Sequence, residues 1–230
     1  MKFRLLCFAS HLLISFFIAL ISVYIVFWVW YPSLLDKVLG VGNIFLLLLC
    51  IDVIIGPLLT LLVAKQGKKT LKMDLAVIAV LQIAALGYGL NIVAQGRPVW
   101  LVYDNNRIEV VQAYEAIASS VSSDVPYAPL AGPVWAAVVD VSSSSIAKGD
   151  AYLHQQFLRP YDVVKDTVGA RAIPLEVLKK FNNPQVVQDL LQQYPDADGY
   201  IPMIAKEGIL VVLVNRSEGD PIAIVDARPW

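Results

Sequence analysis

The sequence predicts a chain in two parts. Residues 1–95 read as three transmembrane helices with a cytoplasmic N-terminus, and residues 96–230 as a periplasmic α+β domain with an antiparallel sheet. Three observations predict this. Hydrophobic residues make up 57% of the 230, and the long apolar runs all lie before residue 96. Basic residues gather at the ends of those runs on one side only. Beyond residue 96, β-rich runs flank helical patterns, as expected of an antiparallel sheet with helices packed on it.

The first span, residues 5–30, is apolar apart from serines and His11. It ends in Phe27, Trp28, Val29, Trp30 and Tyr31, an aromatic belt of the kind found at membrane interfaces. A signal peptide has an apolar core of only about 7–15 residues and a small-residue cleavage site, so this span is expected to stay attached. Cys7 precedes the apolar core, which is not a lipoprotein arrangement. His11, Ser15 and Ser22 fall on one stripe. Helix packing is the simpler reading of that stripe, and a proton relay the other.

The second span, residues 42–64, carries the most informative stretch of the chain, CIDVIIGPLLT. About 20 apolar residues cross a bilayer core of about 30 Å, which places Asp52 near its middle. A carboxylate at that depth costs at least about 2.5 kcal/mol, so it must face protein, a water pocket, or hold a proton. Asp52, Gly56 and Thr60 recur every four residues and share a face. Gly56 admits another helix closely, and Pro57 leaves the carbonyl of Val53 without its usual amide partner.

A loop with Lys65, Lys68, Lys69 and Lys72 follows. Together with Lys2 and Arg4 it opposes Lys37 alone in the other loop, which sets the N-terminus inside. Asp74 opens the third span, where a carboxylate suits a helix N-terminus. Residues 75–93 carry Gln82, Ala85 and Gly89 on one face, and Tyr88 near the outer interface. Gln82 lies at a depth like that of Asp52 on an antiparallel neighbour, so a buried Gln–Asp hydrogen bond accounts for both. An aspartyl-protease pairing of Asp52 with Asp74 fails on depth, because the two carboxyls lie at different levels of the membrane.

From Gly96 onward there are 11 basic and 16 acidic residues, a balance that gives no reason to expect nucleic-acid binding. Cys7 and Cys50 lie at different depths and are not expected to pair. No metal-ligand cluster, cofactor motif or catalytic constellation is legible, and no enzymatic activity is expected. Residues 99–103 and 108–111 read as a hairpin across Asn105-Asn106. Residues 134–141 read as a buried strand, and 142–145 as a serine-rich loop. Helices are expected over 112–120, 150–158, 175–181 and 184–194, then a meander of strands at 200–205, 209–215 and 221–225. That plan is analogous to small PAS-like periplasmic sensor domains. His154 reads as a surface residue, Trp230 as a cover for the last strand, and an Arg97–Asp104 ion pair is available.

The run DVIIGPLLT from Asp52, the basic loop, Asp74-Leu75, QIAALGYG from Gln82 and Arg97-Pro98-Val99 resembles the type IV pilin accessory proteins of the TfpX/TfpZ group. Trp30-Tyr31-Pro32 fits as well, and the resemblance covers roughly residues 28–112. It implies an inner-membrane, multi-pass accessory protein, chaperone-like, with the type IV major pilin, other pilus-assembly proteins and membrane lipid as partners. The candidate packing or pilin-contact residues are Asp52, Gly56, Pro57, Thr60, Asp74, Gln82, Tyr88, Gly89 and Arg97. The alternatives are a membrane-anchored periplasmic ligand sensor signalling through a partner, and a pilin-modifying enzyme. Too little chain is left inside for a sensor output, and no catalytic loop stands out for the enzyme.

Overall fold

The computed structural model describes residues 1–120, 123–139 and 150–230. The chain forms two compact units: Met1–Val29 with Gly40–Gln95, and Trp30–Leu39 with Gly96–Trp230.

The first unit is helical. Helix α1 spans Lys2–Tyr24 and continues as a wider π-helical segment over Ile25–Trp30. Within the second unit, a short helix α2 covers Leu35–Val38. Helix α3 spans Val41–Val63 and α4 spans Leu71–Gln95. Three helices, Lys2–Trp30, Val41–Val63 and Leu71–Gln95, are long and apolar enough to cross a membrane. Helix α3 lies at the centre and packs against both α1 and α4. Burial differs from that of a water-soluble bundle. Ser15, Ser22 and Thr60 are buried along with Phe45, Leu49 and Leu86, while Phe17, Leu47, Leu62 and Ile83 are exposed. Polar groups kept inside and large apolar side chains on the outer surface are what is expected when hydrocarbon is the solvent. The Ser22 hydroxyl donates to the Ile18 carbonyl at 3.0 Å, so burial leaves it satisfied. Phe27 meets Phe45 edge-on, with centroids 5.8 Å apart, beside the π-helical segment.

The second unit is built on one sheet. Strands β1 (Pro98–Asp104) and β2 (Arg107–Gln112) form the expected hairpin. Asn105 and Asn106 both take positive φ, 47° and 67°, as a two-residue hairpin turn demands. The remaining strands are β3 (Val134–Val138), β4 (Leu158–Pro160), β5 (Ile173–Pro174), β6 (Gly199–Ala205), β7 (Gly208–Val214) and β8 (Pro221–Val225). Their order is β4-β3-β1-β2-β6-β7-β8, with β5 paired to β6. The meander β6-β7-β8 is antiparallel as expected. The sheet as a whole is mixed, which corrects the antiparallel expectation: β3 runs parallel to β1, and β6 parallel to β2. Each hairpin is local, whereas the joins between them are set by long connections.

Period-two alternation gives the sheet two lined faces. Trp100, Val102, Val111, Ala136 and Leu158 form one buried cluster. Tyr200, Val211 and Leu213 form another, under the 3₁₀ turn Leu175–Lys180 and helix α6 (Pro184–Gln193). Residues Trp30–Leu39 belong to this same unit. Leu35 is 0% exposed and Tyr31 2%; α2 packs on β7, and the Glu207 amide donates to the Val38 carbonyl at 3.0 Å.

Two expected helices are absent, and polar side chains that tie down the backbone explain both. In 150–158 the chain makes two 3₁₀ turns, Ala151–Leu153 and Gln155–Phe157, parted by an extended His154. Gln155 is buried and ties down a loop: its Nε2 donates to Val125 O at 2.7 Å, and its Oε1 accepts from Ser119 N at 3.0 Å. In 112–120 a single turn forms, with the Glu115 carboxylate accepting from Gln112 N. The chain then leaves to bridge Ile117 with His154. An unanticipated helix, α5 (Lys165–Arg171), is braced by Gly219, where φ is +73° and a Cβ would overlap the Lys165 carbonyl. The expected serine loop 142–145 lies outside the described residues. Trp230 does not cover the last strand; it is 59% exposed. The tail is held instead by Tyr200 Oη donating to Pro229 O at 2.9 Å, and by two hydrogen bonds between Asn182 and the Arg228 backbone.

Asp104 and Glu109 are both buried near the hairpin turn, Glu109 in an ion pair with Arg107. Burial pushes both carboxyls above their ordinary values of 3.8 and 4.5, against the pull of Asn105 and then Arg107 on Asp104, and of Arg107 on Glu109. Each therefore binds its proton more tightly folded than unfolded, so stability falls as pH rises through the ordinary carboxylate range. Asp104→Asn is expected to raise the unfolding temperature of this unit at pH 7 and to flatten its decline between pH 4 and 7. An equal loss at both pH values would remove the argument.

Candidate functional site

The candidate residues that come together lie in the helical unit. Gly56 is buried on α3, and a Cβ there would overlap the Gln82 carboxamide of α4. Glycine thus lets the carboxamide lie against the backbone of α3. From there Gln82 Nε2 donates to the main-chain carbonyl of Asp52 at 3.0 Å. The expected Gln82–Asp52 hydrogen bond therefore forms, but to the backbone rather than as a pure side-chain pair. One turn further along, Thr60 is 1% exposed, and its Oγ1 lies 2.6 Å from Nδ1 of His11 on α1. The one face of α3 carrying Asp52, Gly56 and Thr60 thus binds α4 through one residue and α1 through another. Pro57 is buried beside Gly56.

His11 is the partner that sequence reasoning left unassigned. Its stripe with Ser15 and Ser22 marked the inward face of α1, and a polar stripe needs polar partners on a neighbour; Thr60 is one. A cavity of about 110 Å³ lies where the three helices meet, with His11, Ser15, Asp52 and Gln82 as its polar lining. A groove of about 260 Å³ lined by Phe16, Leu20, Cys50, Val53 and other apolar side chains runs between α1 and α3.

The other candidates lie apart from this cluster. Asp74 sits in the first turn of α4, paired with Lys68 at 2.7 Å and accepting from the Thr70 hydroxyl at 3.2 Å. Tyr88 is 71% exposed, and Gly89 lies against Leu48 of α3. Arg97 belongs to the second unit, where it donates to the carbonyls of Ala128 and Pro129 at 3.1 and 3.2 Å. The Arg97–Asp104 ion pair is excluded: Arg97 precedes and Asp104 ends the seven-residue strand β1, which sets them roughly 20 Å apart at about 3.3 Å per residue. Among the described residues, no group of three or more His, Cys, Asp or Glu could hold a metal ion.

Three helices long and apolar enough to cross a membrane, knit together by internal polar contacts and followed by a mixed-sheet domain, are the arrangement expected of a membrane protein. The family described as Fimbrial assembly protein FimB matches residues 1–40. A fimbrial assembly protein of Dichelobacter nodosus, serogroups C1 and C2, is 32% identical over 103 residues, covering 44% of this chain and 79% of that protein. The serogroup I protein of the same organism is 30% identical over 118 residues, 50% of this chain and 46% of its own length. The serogroup E1 protein matches to the same extent, so the chain spans about half the length of these two relatives. No solved structure matches the chain. The chain belongs to the fimbrial assembly protein family.

Proposed function

We propose that this protein is an inner-membrane accessory factor of type IV pilus biogenesis, of the TfpX/TfpZ kind, that acts on its cognate major pilin by binding and not by chemistry. The observation that carries this reading is membership of the fimbrial assembly protein family. Two features of the geometry support a particular binding surface. Asp52, Gly56, Thr60 and Gln82 are engaged within the chain's own helices, so they shape the bundle rather than meet pilin directly. The apolar groove between α1 and α3, with Cys50 and Ile54 on its wall, is the surface left for an apolar pilin helix. The C-terminal domain then meets the pilin head on the periplasmic side.

In-cell photocrosslinking from position 54 is the test. Capture of pilin supports the proposal; capture of lipid alone, with pilin present at normal levels, overturns it. Orientation is tested separately. A reporter active only in the periplasm should be active after Gln95 or Trp230 and silent after Lys69. The reverse pattern would end the topology.

A second reading, a membrane-anchored sensor, is favoured by one feature of the C-terminal unit. A cavity of about 260 Å³ there is lined by Ser33, Leu35, Leu101, Trp135 and strand β8. Under that reading Trp135→Ala abolishes function while pilin capture from position 54 never occurs.

A further inference from the structure

The cavity where α1, α3 and α4 meet has a donor–acceptor balance that the helices alone leave incomplete. Its polar lining is His11, Ser15, Asp52 and Gln82, set among Ile14, Ile83 and Leu86. Gln82 spends an amide hydrogen on the Asp52 carbonyl. Its own Oε1 is buried and finds no hydrogen-bond partner among the described residues. A buried carbonyl needs a donor. The aliphatic walls supply none, and besides the Asp52 carboxyl that lines the same space, water is the donor that fits. A space of about 110 Å³ is well above the roughly 10–15 Å³ that a water needs, and four polar side chains offer the two to four partners a water requires.

The titratable groups facing the space are few. Helix α1 presents His11, α3 presents Asp52, and α4 presents Gln82, Ala79, Ile83 and Leu86, none of which titrates. Cys50 of α3 lines the separate apolar groove. Nδ1 of His11 is engaged with Thr60 Oγ1 at 2.6 Å; in the tautomer that carries its proton on Nδ1, Nε2 is the basic nitrogen.

We infer that this cavity is a bound-water site across which Asp52 and His11 hold one exchangeable proton between them. In one arrangement both groups are neutral. In the other, the Asp52 O–H bond breaks, its proton enters the water, a water proton forms the Nε2–H bond, and carboxylate faces imidazolium. The pair has no net charge in either arrangement, which is what a hydrocarbon setting requires of it. The protein thereby carries a proton-exchanging pair inside its bundle, independent of any role in holding pilin.

The test uses the full chain in phosphatidylcholine nanodiscs with ¹⁵N-labelled histidine, His154→Gln leaving His11 as the reporter. Water-edited magnetisation transfer in this Asp52-containing chain should reach the His11 ring within milliseconds. Its titration midpoint should move by at least one pH unit in Asp52→Asn, which keeps size and hydrogen bonding. A His11 ring that receives no magnetisation from water overturns the proposal, and that result does not depend on the Asn variant inserting. An unchanged midpoint in a folded Asp52→Asn chain overturns the shared proton.

Discussion

Gly56→Ala is expected to destabilise the helical unit by about 1–3 kcal/mol, whereas Gly87→Ala is expected to cost nothing measurable. The two changes add the same methyl to the same kind of helix. At Gly56 the new Cβ overlaps the Gln82 carboxamide, while at Gly87 nothing lies within 4 Å. Overpacking a tight contact costs typically 1–3 kcal/mol, and here it also displaces the Gln82 hydrogen bond to the Asp52 carbonyl. An exposed substitution stays within about 0.5 kcal/mol. Gly89→Ala should fall between them: both new methyls meet the end of a flexible side chain, but moving Leu48 breaks no hydrogen bond, whereas moving Gln82 gives up its bond to the Asp52 carbonyl. Membrane abundance and resistance to denaturing detergent measure all three, and equal behaviour of Gly56→Ala and Gly87→Ala would falsify the close contact.

The ease with which Gly56 was read from sequence has a physical reason. An acid, a glycine and a hydroxyl at every fourth position of an apolar run mark a face turned to protein, because hydrocarbon penalises the acid while glycine and the hydroxyl favour close helix contact. The β1-β2 hairpin was legible for a similar reason: Asn105-Asn106 carries its own backbone preference. What was not legible was decided at a distance. Gln155 looks like a surface helix residue until Val125 and Ser119 are brought to it. The parallel joins β1 to β3 and β2 to β6 depend on which hairpin docks where, and no local pattern records that. At the site, Thr60 was visible but His11 was not its obvious partner, since a side chain's depth does not say which neighbour it meets.

The segment Trp30–Leu39 shows the same limit, and it yields the second large effect. From sequence the connection 31–41, with Asp36 and Lys37, reads as a short loop, yet Tyr31, Leu35, Val38 and Leu39 are all buried within the C-terminal unit. Leu35→Ala is expected to destabilise that unit by about 2–5 kcal/mol, the range for a buried leucine that cannot be refilled. Against a typical domain stability of about 5–15 kcal/mol, this opens much of the sheet. Leu35→Asp, which buries a charge as well, should abolish the fold. Leu130→Ala, at a residue 81% exposed, is the control and should change nothing. Hydrogen exchange of β6 and β7 amides and limited proteolysis of the full chain report the effect. The same reasoning makes residues 96–230 alone a poor folding unit, because they lack the Tyr31 and Leu35 side chains and the Val38 carbonyl that accepts from Glu207. Protection of the β7 amides in a 96–230 fragment equal to that in the full chain would show that the connection only decorates the domain. The expected result is a fragment cleaved readily through β7, and a full chain that is not.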